Sequence, residues 1–211
     1  MNTNTTTPVL LHIDASPRGE RSHSRRLGRD FNAAWQSAHP AGRIVNRDLG
    51  HEPPPFVTEA WVEGAFTAPA GHSPGAREAI LKSDALVDEL LAASEIVITT
   101  PIYNLSLPAA LKAWIDQIVR VGRTFSMGSD GYKGHAKARR VTIIVASGSD
   151  FRPDGPNGSY NFIEPYLRGV LGFIGLTDVQ FIYAHSLNDG NPQREASLTE
   201  AQAAVQQLAV A

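Results

Sequence analysis

Three stretches of the chain gather the hydroxyls, amides and glycines that could hold a small molecule. The first is Ser16-Pro17-Arg18-Gly19-Glu20-Arg21-Ser22-His23-Ser24. Serine hydroxyls and free amides just ahead of a helix suit an anion such as a phosphate, because a helix N-terminus carries partial positive charge. The same serines would serve as ordinary N-caps, and both readings fit the spacing. The second stretch is Pro101-Ile102-Tyr103-Asn104-Leu105, and the third runs from Ser147 to Gly158. Other chemistries lack their parts. Neither GxGxxG nor GxxxxGK[ST] occurs, which argues against a dinucleotide fingerprint and an NTPase loop. Neither Ser16 nor Ser22 lies in a GxSxG elbow, and no base can be assigned to them. The 7 histidines form no HxH or HxxxH pair, and cysteine is absent, so no metal site, thiol nucleophile or disulfide is expected.

These stretches must be positioned by regular elements, and the hydrophobic pattern supplies them. Val9 to Ile13 is a short apolar run ending at Asp14 and reads as a buried strand, with His12 as a hydrogen-bonded interruption. Leu27, Phe31, Ala34, Trp35 and Ala38 recur at helical spacing, and His39-Pro40 and Gly42 stop that helix. Arg43 to Leu49 is a more polar strand suited to a sheet edge. Residues 50–75 are irregular, with a short helix over 58–66, and a helix follows over 76–93. Glu95 to Thr100 is a β-branched strand ended by Pro101. Leu107 to Val121 is the clearest amphipathic helix, with Lys112, Asp116 and Arg120 on the face opposite Leu111, Trp114 and Ile115. Trp114 is expected in the core or at a contact between copies. Thr124 to His135 suggests a hairpin or flap. A fourth strand over 140–146, a helix over 161–174, a fifth strand over 178–184 and a final helix over 192–209 complete the pattern. Strands that are continuous apolar runs alternating with helices predict an α/β fold, a doubly wound five-stranded parallel sheet with helices on both faces. Ligands in such sheets bind beyond the C-terminal strand ends, where the three stretches fall.

The ordered motifs resemble those of the flavodoxin-like FMN-dependent NAD(P)H azoreductases, also called NAD(P)H:quinone oxidoreductases. The resemblance covers nearly the whole chain. It includes Ser16-Pro17-Arg18 with Ser22 and Ser24, Pro101-Ile102-Tyr103-Asn104 ahead of Leu111-Lys112 and Trp114-Ile115-Asp116, and Gly122 with Thr124-Phe125. It continues through Asp154-Gly155-Pro156 and Pro165-Tyr166-Leu167 to Gly172-Phe173-Ile174-Gly175-Leu176-Thr177-Asp178-Val179. The resemblance implies a tightly bound FMN and NAD(P)H as co-substrate. It implies that Ser16, Ser22, His23 and Ser24 hold the FMN phosphate and that Ile102, Tyr103, Asn104 and Leu105 line one side of the isoalloxazine ring. Ser147, Gly148, Ser149 and Asp150 would meet the ring's polar edge, and Phe125, Phe151 and Arg152 would border the substrate pocket. No catalytic side chain is required, since the cofactor carries the hydride chemistry. A quinone or azo acceptor and a homodimer with sites at the interface are further implications. Three departures stand out. Asp150 occupies a loop where relatives carry glycine, Leu105 replaces a phenylalanine, and Arg152 stands near a usual histidine. An Asp150 carboxylate facing the ring would oppose reduced, anionic flavin, and one turned away would not.

Composition bounds the alternatives. The chain has 211 residues, enough for one domain with a full core, and residues 1–8 are expected to be a disordered tail. With 19 Lys+Arg against 21 Asp+Glu, the net charge of −2 disfavours a nucleic-acid binder. The polar N-terminus lacks the pattern of a secretory signal, and no apolar run is long enough to span a membrane, so a cytoplasmic protein is expected. A one-electron flavodoxin-like carrier is the alternative to an enzyme. Such carriers are usually shorter and strongly acidic, which this chain is not. A flavin-free interaction module on the same fold is a third reading, since fold alone does not fix function.

Overall fold

A computed structural model describes residues 7–211. Strand β1 (Val9–Asp14) leads into helix α1 (His23–Ala38), then β2 (Arg43–Asp48), α2 (Glu59–Phe66), α3 (Pro74–Ala92) and β3 (Glu95–Pro101). Helix α4 (Ala109–Ile118), the hairpin β4 (Phe125–Gly128) and β5 (Gly131–Gly134), and β6 (Val141–Ala146) follow. Helix α5 (Ile163–Phe173), β7 (Val179–Ala184) and α6 (Arg194–Ala209) end the chain. The main sheet is parallel in the order β2-β1-β3-β6-β7, the flavodoxin-like order. The disordered tail expected at the N-terminus falls on residues 1–6 outside the described part. Pro8 belongs to the fold, because its carbonyl accepts the Arg43 amide at 3.0 Å.

Side chains alternate along each strand, so the two sheet faces carry separate cores. Leu10, Val97, Ile144 and Ile182 pack under α1 and α6 against Leu27, Phe31, Trp35 and Val205. Leu11, Ile13, Ile98, Ile143 and Val145 pack under α3, α4 and α5 against Val87, Leu111, Trp114 and Leu167. Trp114 thus lies in the core, 1 % exposed. His12 and Asp14 share the α1 face with Leu10, which explains the polar interruptions of an otherwise apolar strand. Helix α1 approaches them closely at Gly28, where an added Cβ would stand 2.6 Å from Thr99 Cγ2 and 2.8 Å from His12 Nε2.

The amphipathic helix after β3 is shorter than its periodicity predicts. Thr124 ends it: its hydroxyl donates to the Ile118 carbonyl at 2.7 Å and accepts the Arg120 amide at 2.8 Å. Arg120 therefore leaves the helical register. It is buried instead of sharing the exposed face with Lys112 and Asp116, and it donates to Ser83 Oγ at 2.7 Å beneath the Trp61 ring. The Thr124–His135 segment is a hairpin whose Phe125 and Tyr132 rings pack on Phe173 at centroid distances of 4.7 and 5.0 Å. Strands β2 and β7 are the sheet edges, so β7 is only partly buried despite its apolar sequence.

The buried His12 makes stability depend on pH. Burial pushes its imidazole from 6.5 down to about 4, and Nδ1 accepts from Asn32 at 2.8 Å. The unfolded chain protonates this group first as pH falls. Its contribution is therefore fully present above about 6.5 and lost towards pH 4, by about 2–3 kcal/mol. Urea midpoints at pH 7 and pH 4.5 should converge in His12→Gln relative to the parent, and an unaltered pH slope in the variant would refute the assignment.

Candidate active site

The chain moves from β1 to one side to make β2 and then to the other side to make β3. The strand ends at β1 and β3 therefore open a crevice, and the N-terminus of α1 points into it. A cleft at this place is lined by Ser16, Ser22, His23 and Ser24 from the first loop, Ile102 and Tyr103 from the second, and Ser147 and Gly148 from the third. Eight residues singled out in the sequence thus meet in one site.

Its first end is a hydroxyl cradle. Gly19 takes a positive φ of 56° to turn the loop through a short 3-10 segment that delivers Ser22 to the helix N-cap. Ser22 Oγ accepts the Arg25 amide at 3.3 Å and lies 3.1 Å from Ser24 Oγ. Ser22 is the cap and Ser24 is not, so the cap reading and the anion reading divide between them. The amides of His23 and Ser24 sit in the first helical turn, where the helix supplies no acceptor. No acidic residue occupies that turn. Burial, and then the charges of Arg26, Arg194 and Arg18, push the His23 imidazole below its usual value.

A buried brace supports the cradle from below. Arg25, 8 % exposed, donates through Nε to the Ser16 carbonyl at 2.7 Å. Its Nη1 donates to Asp48 Oδ2 at 2.8 Å and stands 3.3 Å from Asp14 Oδ2, and Nη2 contacts Asp48 Oδ1. Thr99 Oγ1 donates to the remaining Asp14 oxygen at 2.6 Å. Burial pushes the Asp14 carboxyl up against these bonds, while the hydrogen bond from Arg25 holds Asp48 well below the usual carboxylate range. Gly50 completes the packing, since a Cβ there would strike the Ser16 carbonyl.

The other end of the cleft is shaped by backbone. Asn104 and Leu105 take φ of 49° and 70°, both left-handed, between reciprocal Tyr103–Ser106 hydrogen bonds of 2.9 and 3.1 Å. This is the geometry of a two-residue hairpin turn. It places Asn104 and Leu105 on an exposed tip outside the cleft lining. The Ile102 amide donates to the Ala146 carbonyl at 3.0 Å, which ties this loop to β6. Opposite, Gly148 lies against the Asn188 amide, which an added Cβ would displace. Donors, flat apolar wall and open backbone suit a phosphate ester at one end and a polar planar ring at the other, so the residues present fit a flavin mononucleotide.

The remaining sequence candidates stand elsewhere. Asp150 does not line the cleft. Its carboxylate takes Arg152 Nε and Nη2 at 3.0 and 2.7 Å and the Arg152 amide at 3.1 Å, and the Arg152 hydrogen bond lowers its pKa. Arg152 is thereby engaged in the loop itself. Ser149 accepts the Ser147 hydroxyl on its carbonyl at 2.7 Å, and neither it nor Phe151 lines the cleft. Phe125 belongs to the hairpin's aromatic cluster. Sequence reasoning missed Arg18, Leu187 and Asn188 as lining residues. The loop after β7 was the overlooked signal, since it too follows a parallel strand. Sequence reasoning also passed over Gly71-His72-Ser73-Pro74-Gly75, which spells GxSxG. Ser73 there is the N-cap of α3, accepting the Ala76 amide at 3.1 Å and donating to Glu63 at 2.9 Å, and no strand precedes it.

Fold and cleft together define a flavodoxin-like protein with a cleft at the sheet's switch point. A family model described as flavodoxin-like fold matches residues 9–209. An FMN-dependent NADH:quinone oxidoreductase of Nostoc punctiforme is 52% identical over 197 residues, covering 93% of this chain and 96% of that one. An FMN-dependent NAD(P)H:quinone oxidoreductase of Pseudomonas aeruginosa is 43% identical, covering 92% and 94%. The crystal structure of an azoreductase from Bacillus anthracis superposes with a TM-score of 0.88 at 26% identity, covering 97% of this chain and 99% of that one. The chain belongs to the flavodoxin-like FMN-dependent NAD(P)H:quinone oxidoreductase family, which is a family of enzymes.

Breaking the brace should be costly. Arg25→Met leaves Asp14 buried without its cation and should destabilise the fold by about 3 kcal/mol. Asp48→Asn should cost about 1 kcal/mol or less, because Asp48 is 37% exposed and water screens the pair. Equal shifts of the urea midpoint in the two variants would contradict this ranking.

Proposed function

We propose that this protein passes two electrons from NAD(P)H to quinones and azo compounds in a ping-pong cycle. The observation that carries the reading is the single cleft joining the serine cradle at α1 to the Tyr103 and Gly148 loops. Ser16, Ser22, Ser24 and the amides of His23 and Ser24 hold the FMN phosphate. Ile102 and Tyr103 would wall one side of the ring, with the Asn104-Leu105 tip above them, and Ser147 and Gly148 would present backbone to its polar edge. FMN, when bound, supplies the hydride chemistry between donor and acceptor. Asp150 keeps its charge paired with Arg152, away from the ring.

The protein's part is to bind, orient and exclude. Donor and acceptor must occupy the same opening in turn, so each blocks the other. Tyr103, Leu105, Tyr160 and Phe162 stand exposed on loops at the C-terminal edge of the sheet. A second copy covering this surface would make the homodimer implied by the sequence and would narrow the opening.

Two measurements test the reading. Ser22→Ala with Ser24→Ala should weaken FMN binding by about 1–3 kcal/mol, the range for hydrogen bonds to a charged group, in a fluorescence titration. Unchanged affinity would remove the phosphate from this cradle. Steady-state turnover with NADH and a soluble quinone should give parallel double-reciprocal lines, with competitive inhibition at high quinone. Negligible NAD(P)H turnover by FMN-loaded protein would instead favour the electron carrier.

A further inference from the structure

A second groove adjoins the phosphate end of the cleft and shares Arg18, Ser22, His23 and Asn188 with it. Arg21, Arg26 and Arg194 form its outer walls. Four arginines thus face one opening against two carboxylates, and both carboxylates are already matched. Glu20 pairs with Arg29 at 2.9 Å, and Asp189 with Arg194 at 2.6 Å. Arg18, Arg21 and Arg26 have no ion pair among the described residues and are exposed.

A second observation shows unmet donors. Arg26 Nη2 lies 3.3 Å from His23 Nδ1, and Arg194 Nη2 lies 3.5 Å from His23 Nε2. A neutral imidazole has a single acceptor nitrogen and a protonated one has none, so His23 cannot serve both guanidiniums. The surrounding arginines also disfavour its protonation. His23 thus leaves guanidinium donors of Arg26 and Arg194 open to an incoming anion rich in acceptors. Guanidinium forks match phosphate oxygens in pairs and stack on planar rings.

We propose that this groove holds the adenylate end of the nicotinamide donor and selects for a 2′-phosphate there. The proposal rests on the flavin reading, which places the ring, and so the nicotinamide that must reach it, at the Tyr103 end of the cleft. On the cradle side the opening continues into the groove, which gives the donor's ribose-phosphate chain a path out of the cleft. Arg18 and His23 stand at the junction, and Arg21 and Arg26 line only the outer part. Arginine beside the adenosine ribose is the usual physical means of accepting a 2′-phosphate.

The test uses the FMN-loaded protein and two probes, adenosine 2′,5′-bisphosphate and AMP, in titration calorimetry at low salt. The parent should bind the bisphosphate more tightly than AMP. Arg26→Gln and Arg21→Gln should each weaken it by about tenfold, the loss of one charged hydrogen-bonding partner. Arg43→Gln removes the same charge at the opposite end of the sheet and should leave binding unaltered. The KM for NADPH should rise in parallel in the groove variants, with kcat retained. Equal bisphosphate affinity in the parent and Arg26→Gln would overturn the proposal, as would equal affinity of the parent for both probes. Bound flavin, read from its absorbance in the same samples, separates the two readings: a groove failure with flavin retained leaves the flavin site standing. Chromatography of the flavin released on denaturation identifies the phosphate's source. FMN supports the nicotinamide donor, and a dinucleotide flavin overturns the assignment.

Discussion

Arg25 joins the three segments on which the cleft depends: the end of β1 through Asp14, the end of β2 through Asp48, and the first loop through the Ser16 carbonyl. A guanidinium this deep is tolerable only because its donors are met by two carboxylates and a carbonyl. The fork geometry matters, since one side chain must reach three acceptors at fixed angles. The surrounding small residues follow from it. Gly28 lets α1 settle on Thr99 and His12, and Gly50 lets the segment after β2 touch the Ser16 backbone. Ser22 then meets the α1 N-terminus at the angle its cap requires. The first loop is in this way preformed, and ordering it need not be charged against ligand binding.

The far end of the cleft uses a different means. Asn104, Leu105 and Ser186 sit in the left-handed region, at a cost on the order of 1–3 kcal/mol each. The Tyr103–Ser106 pair and the Ile102–Ala146 bond hold the first two in place, and the Leu187 amide donates to the Ser147 carbonyl at 3.0 Å beside the third. Backbone hydrogen bonds thereby fix the loops that border the opening. That suits a site whose reactivity belongs to a bound ring and whose protein supplies orientation.

Charge is distributed to the same end. The chain is close to neutral, yet the cradle and its adjoining groove are locally cationic. The carboxylates nearest the site are each spoken for: Asp14 and Asp48 by Arg25, and Asp150 by Arg152. An anionic ligand approaching α1 therefore meets unopposed donors. Net charge, which speaks to the class of partner, hides this local asymmetry.

The alternation of apolar runs and amphipathic helices determined the doubly wound sheet, because a strand buried on both faces must be apolar throughout and a covering helix must carry one apolar stripe. The three ligand stretches were legible for the same reason, since parallel strands deliver their loops to one edge. What tertiary structure alone decided lies in contacts between residues far apart in the chain. Thr124 ends α4 at Ile118 by donating its hydroxyl to the Ile118 carbonyl, so Arg120 leaves the face its spacing assigned. Arg152 claims Asp150, which sequence position alone leaves free to face the ring. Asn188 joins the cleft only because β7 pairs beside β6. Periodicity encodes which face of an element is covered, but a hydrogen bond depends on where two separately encoded segments come to lie, and that is set only when the sheet has closed around both.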